Sequence, residues 1–192
     1  MSWSEIVVVV VAVVLLVGWR LWVSASRLDR LHRKVASSRA VVDAQLLRRA
    51  SAAANLAASG LMDPVSSLLV GEAAWAAIGA GSSSVEALAQ LPAELSALDD
   101  QGEVADMRAE LGGDELVSAL ADAWYRAQLA RRFHNEAVAQ TQRVRRGWPV
   151  RALRLAGRAP VPHTLELDDA WPQSLGRPGQ PANAPGRAEP TV

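Results

Sequence analysis

The chain of 192 residues contains no cysteine. That excludes a disulfide framework, a thiolate-bound metal and a thiol nucleophile, and it fits a reducing compartment. There is a single Phe and a single Tyr, whereas Ala and Leu abound. Such a composition favours helix over strand, and closely packed Ala-rich helices over a bulky aromatic core. Histidine is limited to His32, His134 and His163, no two of them three or four residues apart and none with a carboxylate at the spacing of a metal motif. No G-x-S-x-G elbow or P-loop occurs, and Gly79-Ala80-Gly81 lacks the later glycine and preceding strand of a dinucleotide turn. Acidic pairs such as Asp99-Asp100 and Asp114-Glu115 fall at turns or helix starts, where carboxylates favour the helix dipole. Neither a metal nor another cofactor is expected, and no catalytic constellation assembles, so the chain does not read as an enzyme.

Net charge is also absent, with 20 Lys and Arg against 20 Asp and Glu. No overall basicity therefore points to nucleic acid. The balance conceals blocks: residues 24–60 carry a net +5, residues 61–125 a net −11 and residues 126–160 a net +8. Basic and acidic helices lying side by side account for this pattern, and so do basic segments facing anionic lipid.

What is present is one long apolar run, Ile6–Val23, with Arg20 as its only charge. As a helix it spans about 27 Å, close to the ~30 Å of a bilayer core. Trp3, Trp19 and Trp22 flank it at headgroup level, and Arg20 in its last turn can snorkel outward. A cleaved signal peptide would carry Lys or Arg before the run. Here MSWSE precedes it, while Arg27, Arg30, Arg33 and Lys34 follow. The expectation is a retained single-pass anchor over residues 1–23 in the cell membrane, with the N-terminus outside and a cytoplasmic helical domain.

Beyond the anchor, Ser24–Ala58 has neither proline nor glycine and keeps Leu28, Leu31, Val35, Val42, Leu46 and Ala53 near one face. One helix is expected to run from membrane into domain, with Gly60 at its C-cap. Asp63-Pro64 reads as N-cap and first turn of a second helix carrying Val65, Leu68, Leu69, Ala73, Trp75 and Ala76. Ser83–Glu86 fits a capping box for a third helix to about Leu98, interrupted by Pro92. The last long helix is expected over about Glu103–Arg146, weak at Gly112-Gly113, where Asp114 can cap a new start. Its stripe is Leu116, Leu120, Trp124, Ala127, Ala130 and Val138. The fold class expected is all-α: a transmembrane helix, an antiparallel bundle of roughly four helices over residues 24–169, and a disordered Pro/Gly-rich tail over residues 170–192.

Two clusters stand out as candidate sites. Arg143, Arg145, Arg146, Arg151, Arg154 and Arg158, interleaved with Trp148, suit contact with the inner leaflet or pairing with the acidic block. The second cluster is Asp43, Gln45, Arg48, Arg49, Asn55, Arg131, Arg132, Phe133 and Asn135. Asp43 or Gln45 is expected to bond to Arg131, Arg132 or Asn135, locking an Ala-rich interface; a partner-binding patch is the alternative.

The second cluster also carries a resemblance. Asp43-x-Gln45-Leu46 with Arg48-Arg49 and Asn55-Leu56, and the run Ala130-Arg131-Arg132-Phe133-His134-Asn135-Glu136-Ala137-Val138, resemble the LemA family of bacterial membrane-anchored proteins. Trp148-Pro149 and Leu165–Asp169 follow where that family has an aromatic-Pro element and a short acidic segment. Ala54 stands where the family has Pro, His134 replaces Tyr, and Ala50–Ala53 are smaller than usual, as in a divergent member. The resemblance implies a cytoplasmic antiparallel helical domain behind one transmembrane helix, with no established catalysis. The function expected is thus a membrane-anchored interaction or scaffold protein with an unknown protein partner and no nucleic acid; a homo-oligomer is compatible with it. Alternatives are a small-molecule or peptide sensor using a bundle cavity and, last, a membrane-tethered hydrolase.

Overall fold

The computed structural model describes residues 3–80, 101–147, 150–151, 160–167 and 171–178. These comprise four α-helices and one 3₁₀ turn, with no strand among the described residues. The helices are α1 (Trp3–Ala58), α2 (Pro64–Ala80), α3 (Gln101–Ala109) and α4 (Gly113–Arg145), and the turn is Gln173–Leu175. The third helix expected over Ser83–Leu98 lies outside the described residues. The chain divides into two compact units, Met1–Arg39 with Phe133–Leu165, and Ala40–Arg132 with Glu166–Val192.

Helix α1 is continuous from the apolar run into the segment beyond it, as the missing breakers predict. Its apolar window has a mean hydropathy of 2.7 with no part buried, which makes α1 the one described helix long and apolar enough to cross a membrane. The Trp19 and Trp22 rings are 6.2 Å apart at the end of that run.

In the first unit, α1 and α4 run antiparallel. Ser38 of α1 meets His134 of α4, and His32, further back along α1, meets Arg145, further on along α4. Leu28 and Leu31 from α1 and Ala137, Val138 and Thr141 from α4 are buried. The Thr141 hydroxyl donates to the Ala137 carbonyl one turn back, so its burial leaves the oxygen bonded.

In the second unit the α1 stripe continues as expected through Val42, Leu46 and Ala53, joined by Arg49, Ala50, Leu56 and Ala57. Gly60 takes a φ of 76° just past the end of α1, a conformation that glycine adopts without strain. Asp63 then caps α2: its Oδ1 accepts the Val65 and Ser66 N–H groups at 2.9 and 3.2 Å, and its carbonyl accepts the first helical bond from Ser67. The Ser67 hydroxyl in turn donates to the Ala57 carbonyl at 2.7 Å, satisfying an acceptor left over at the end of α1.

The face that α2 buries is not the one its large residues suggest. Val70, Ala74 and Ala77 are buried, whereas Val65, Leu68, Leu69 and Trp75 are exposed. Small side chains meet at this face: a Cβ added to Gly71 would lie 3.7 Å from the Ala57 Cβ, in ordinary van der Waals contact, so α1 and α2 come close there.

The helix expected over Glu103–Arg146 is interrupted. Gly112 has a φ of 80°, and a Cβ at Gly113 would collide with the Met107 carbonyl at 1.7 Å, so both positions require glycine. The first bond of α4 runs from the Leu116 N–H to the Gly112 carbonyl, so Gly112 is the cap rather than Asp114. Asp114, in the first turn, pairs with Arg108 of α3 instead. Arg108 is the one cation within residues 61–125, and it also reaches Ser118 and the Leu175 carbonyl. Order therefore extends further along the chain than composition predicts: Leu175, within the segment expected to be disordered, is buried at 1% exposure.

Hydrogen bonds from the Ser66 hydroxyl and from the Ser66 and Val65 N–H groups hold the Asp63 carboxyl below its ordinary value of 3.8. The ionised cap therefore contributes stability at and above that value, and the contribution is lost as the pH falls through the lower folded value. Asp63→Asn should keep the cap at neutral pH yet flatten the fall of melting temperature below about pH 4. Asp63→Ala should lower the melting temperature at neutral pH. Parallel melting curves of wild type and Asp63→Asn across that acid range would contradict this account.

Candidate functional site

Helix α4 carries a polar edge within the first unit at Asn135, Gln142 and Arg145, spaced by seven and three residues and so close to one face. Residues 160–165 lie along it without regular structure. The Asn135 amide grips Leu165 twice: Nδ2 donates to the Leu165 carbonyl at 3.1 Å, and Oδ1 accepts the Leu165 N–H at 2.9 Å. Gln142 Nε2 donates to the Pro162 carbonyl at 2.8 Å, and Arg145 Nη1 to the Pro160 carbonyl at 3.0 Å. The spacings match. Seven helical residues advance about 10 Å, and so do three extended residues at ~3.3 Å each. Proline at 160 and 162 predisposes this stretch to extended backbone.

Asn135 thus answers to the backbone of the returning segment and not to Asp43 or Gln45. The expected lock must be corrected at that residue. An amide offering donor and acceptor together pairs both backbone groups of one residue, the N–H and the carbonyl of Leu165, which a carboxylate or a guanidinium cannot do. The His134 ring, at 2% exposure, lies beside this clamp with Nδ1 2.9 Å from the Ser38 hydroxyl, which also reaches the Val35 carbonyl. Arg145 Nη1 also faces His32 Nε2 at 3.2 Å.

The other members of the second cluster separate by exposure. In the second unit Arg49 is buried at 2%, its guanidinium 4.9 Å from the centroid of the fully buried Trp124 ring. A desolvated cation–π contact of this kind stabilises by about 2 kcal/mol. Asp43, Gln45 and Arg131 are half-buried, and both Asp43 and Arg131 make polar contacts. Arg48, Asn55, Arg132 and Phe133 are exposed, Phe133 at 59%. Within the first cluster Arg143, Arg146 and Arg151 are exposed and Arg145 is half-buried; Trp148, Arg154 and Arg158 lie outside the described residues. Among the described residues no group of His, Asp or Glu side chains is arranged to hold a metal ion.

Sequence reasoning missed the Arg49–Trp124 stack and the docking of residues 160–165. No spacing rule links Arg49 to Trp124, but the Pro-x-Pro pair was a legible sign of an extended strap. Compared with known proteins, the chain matches no family model, no curated protein and no solved structure.

Removing the clamp should loosen the returning segment. Asn135→Ala should cost roughly 1–3 kcal/mol, because it strands both the N–H and the carbonyl of Leu165. Amide exchange at Leu165 should accelerate ahead of the α4 core. Asn135→Asp, which keeps the acceptor but loses the donor, should fall between. Unchanged protection at Leu165 in the alanine variant would sink the assignment.

Proposed function

We propose that this chain is a membrane-anchored interaction or scaffold protein of the LemA type, without catalytic activity. The apolar run of α1 is the anchor, its N-terminal side lies outside the cell membrane, and the helical units lie in the cytoplasm. The cations at Arg27, Arg30, Arg33 and Lys34 support that orientation, since cytoplasmic flanks carry the excess of Lys and Arg.

The observation that carries the interaction reading is the outer face of α2. Val65, Leu68 and Trp75 are 62–67% exposed and Leu69 is 44% exposed, at helical spacings that place them on one side. An exposed stripe of this kind, ending in tryptophan, is the composition of a protein-contact hot spot rather than of an ordinary solvated helix. A smaller observation favours a second reading, a small-molecule sensor. In the second unit Gln45 Oε1 and Trp124 Nε1 are buried without a hydrogen-bond partner among the described residues, an acceptor and a donor suited to a polar ligand. A thermal-shift screen on the full chain tests it, with Gln45→Leu as control; absence of any stabilising compound weighs against it.

Photo-crosslinking residues placed at Leu68 and Trp75 of the full-length chain in cells should capture a protein partner. The same group at the exposed Glu115 should not. Equal capture at all three positions, or none at the first two, would remove the support for the interaction reading. A C-terminal reporter active on the outer side would reverse the orientation.

A further inference from the structure

The fold gathers the cations of two distant sequence blocks into one unit, the one that also contains the apolar run. By sequence the first unit holds twelve Lys and Arg against Glu5, Asp29 and Glu136, and the second holds eight against seventeen. On α1 the exposed Arg27, Arg30, Arg33 and Lys34 all fall within eleven residues after Val23. At ~1.5 Å per residue that is within about 17 Å of the end of the apolar run.

Helix α4 adds to them. Its antiparallel course brings Arg145 against His32, nine residues after Val23, so its C-terminal cations arrive at the height of the α1 cations. Arg143, Arg146 and Arg151 are exposed there, and the Arg151 N–H is held by the Gly147 carbonyl. Eight cations therefore share one end of the unit with Asp29 as the one anion of those two stretches, and Asp29 pairs with Arg33 at 2.5 Å. Arg143, Arg146 and Arg151 form no ion pair among the described residues.

We propose that this collar is a binding site for anionic phospholipid headgroups, on the side of the bilayer where α1 emerges. The proposal rests on α1 being a membrane anchor, and it names the ligand of the adjoining surface. Two features select lipid over a soluble polyanion. The anchor keeps the collar within roughly two Debye lengths of the surface, so association is intramolecular in effect. The cations are also spread over two helices at one height, which suits a plane of separate headgroups. Each basic residue close to an anionic leaflet raises association by about fivefold.

The test uses the full chain reconstituted in nanodiscs of phosphatidylcholine alone, or of a two-to-one mixture of phosphatidylcholine and phosphatidylglycerol. Insertion is read by flotation, and lipid preference by the ratio of the two lipids that remain with the protein on mild extraction. Phosphatidylglycerol should be retained about fivefold above its bulk ratio. The preference should fall to the bulk ratio in molar salt, and in a variant combining R27Q, R30Q, R146Q and R151Q whose circular dichroism is unchanged. Flotation with retention at the bulk ratio overturns the collar while leaving the anchor intact. Failure to float with either bilayer overturns the anchor and the collar together. Retention equal in wild type and the folded variant, with capture of an acidic protein at Arg146 or Arg151 in cells, assigns these cations to a protein and overturns the lipid site.

Discussion

The backbone ladder of α1, unbroken from Trp3 to Ala58, is the constraint on which the rest of the molecule depends. In hydrocarbon each peptide group must find its partner inside the segment, and an α-helix provides that at every residue. The ladder does not stop where the apolar residues stop, because Ser24–Ala58 contains no residue that would break it. Height and rotation about the axis are consequently fixed for every α1 side chain of the first unit. Leu28 and Leu31 turn inward, while Arg27, Arg30 and Arg33 turn out.

Side-chain size governs the second unit in a different way. Ala57 and Gly71 let α1 and α2 come close. Val70, Ala74 and Ala77 form the buried face of α2, while Val65, Leu68, Leu69 and Trp75 lie on its outer side. Packing at this junction is decided by shape before it is decided by hydrophobicity. Arg49 under the Trp124 ring is the counterpart, a charged group in an interior that otherwise holds apolar side chains such as Leu46, Leu56, Met107 and Leu120, tolerated because an aromatic face takes the place of solvent around the cation.

These two regimes explain what could be read in advance. The stripes of α1 and α4 were legible because apolar and charged residues alternate around each helix, and Leu28, Val42, Leu46, Leu120, Trp124 and Val138 are all buried. The buried face of α2 was not, because a helix with Glu72 as its one charge is apolar all round and its periodicity has no direction. The cap at Asp63 was legible from two residues, whereas the break at Gly112-Gly113 was seen as a weakness and its cap misplaced by two positions. At the candidate site the motif residue Asn135 was identified but its partner was not. Side-chain pairs leave a trace in both residues, and a side chain that bonds a peptide group leaves a trace in only one.

That asymmetry has a consequence for the strap held by Asn135. The two bonds at Leu165 engage only its N–H and carbonyl, and those at Pro162 and Pro160 only their carbonyls. As far as these bonds are concerned, every residue except proline is acceptable at position 165, and any residue is acceptable at 160 and 162. The clamp fixes the course of the chain through its backbone, so any constraint on its vocabulary comes from elsewhere: from the buried Leu165 side chain and from the extended bias of Pro160 and Pro162.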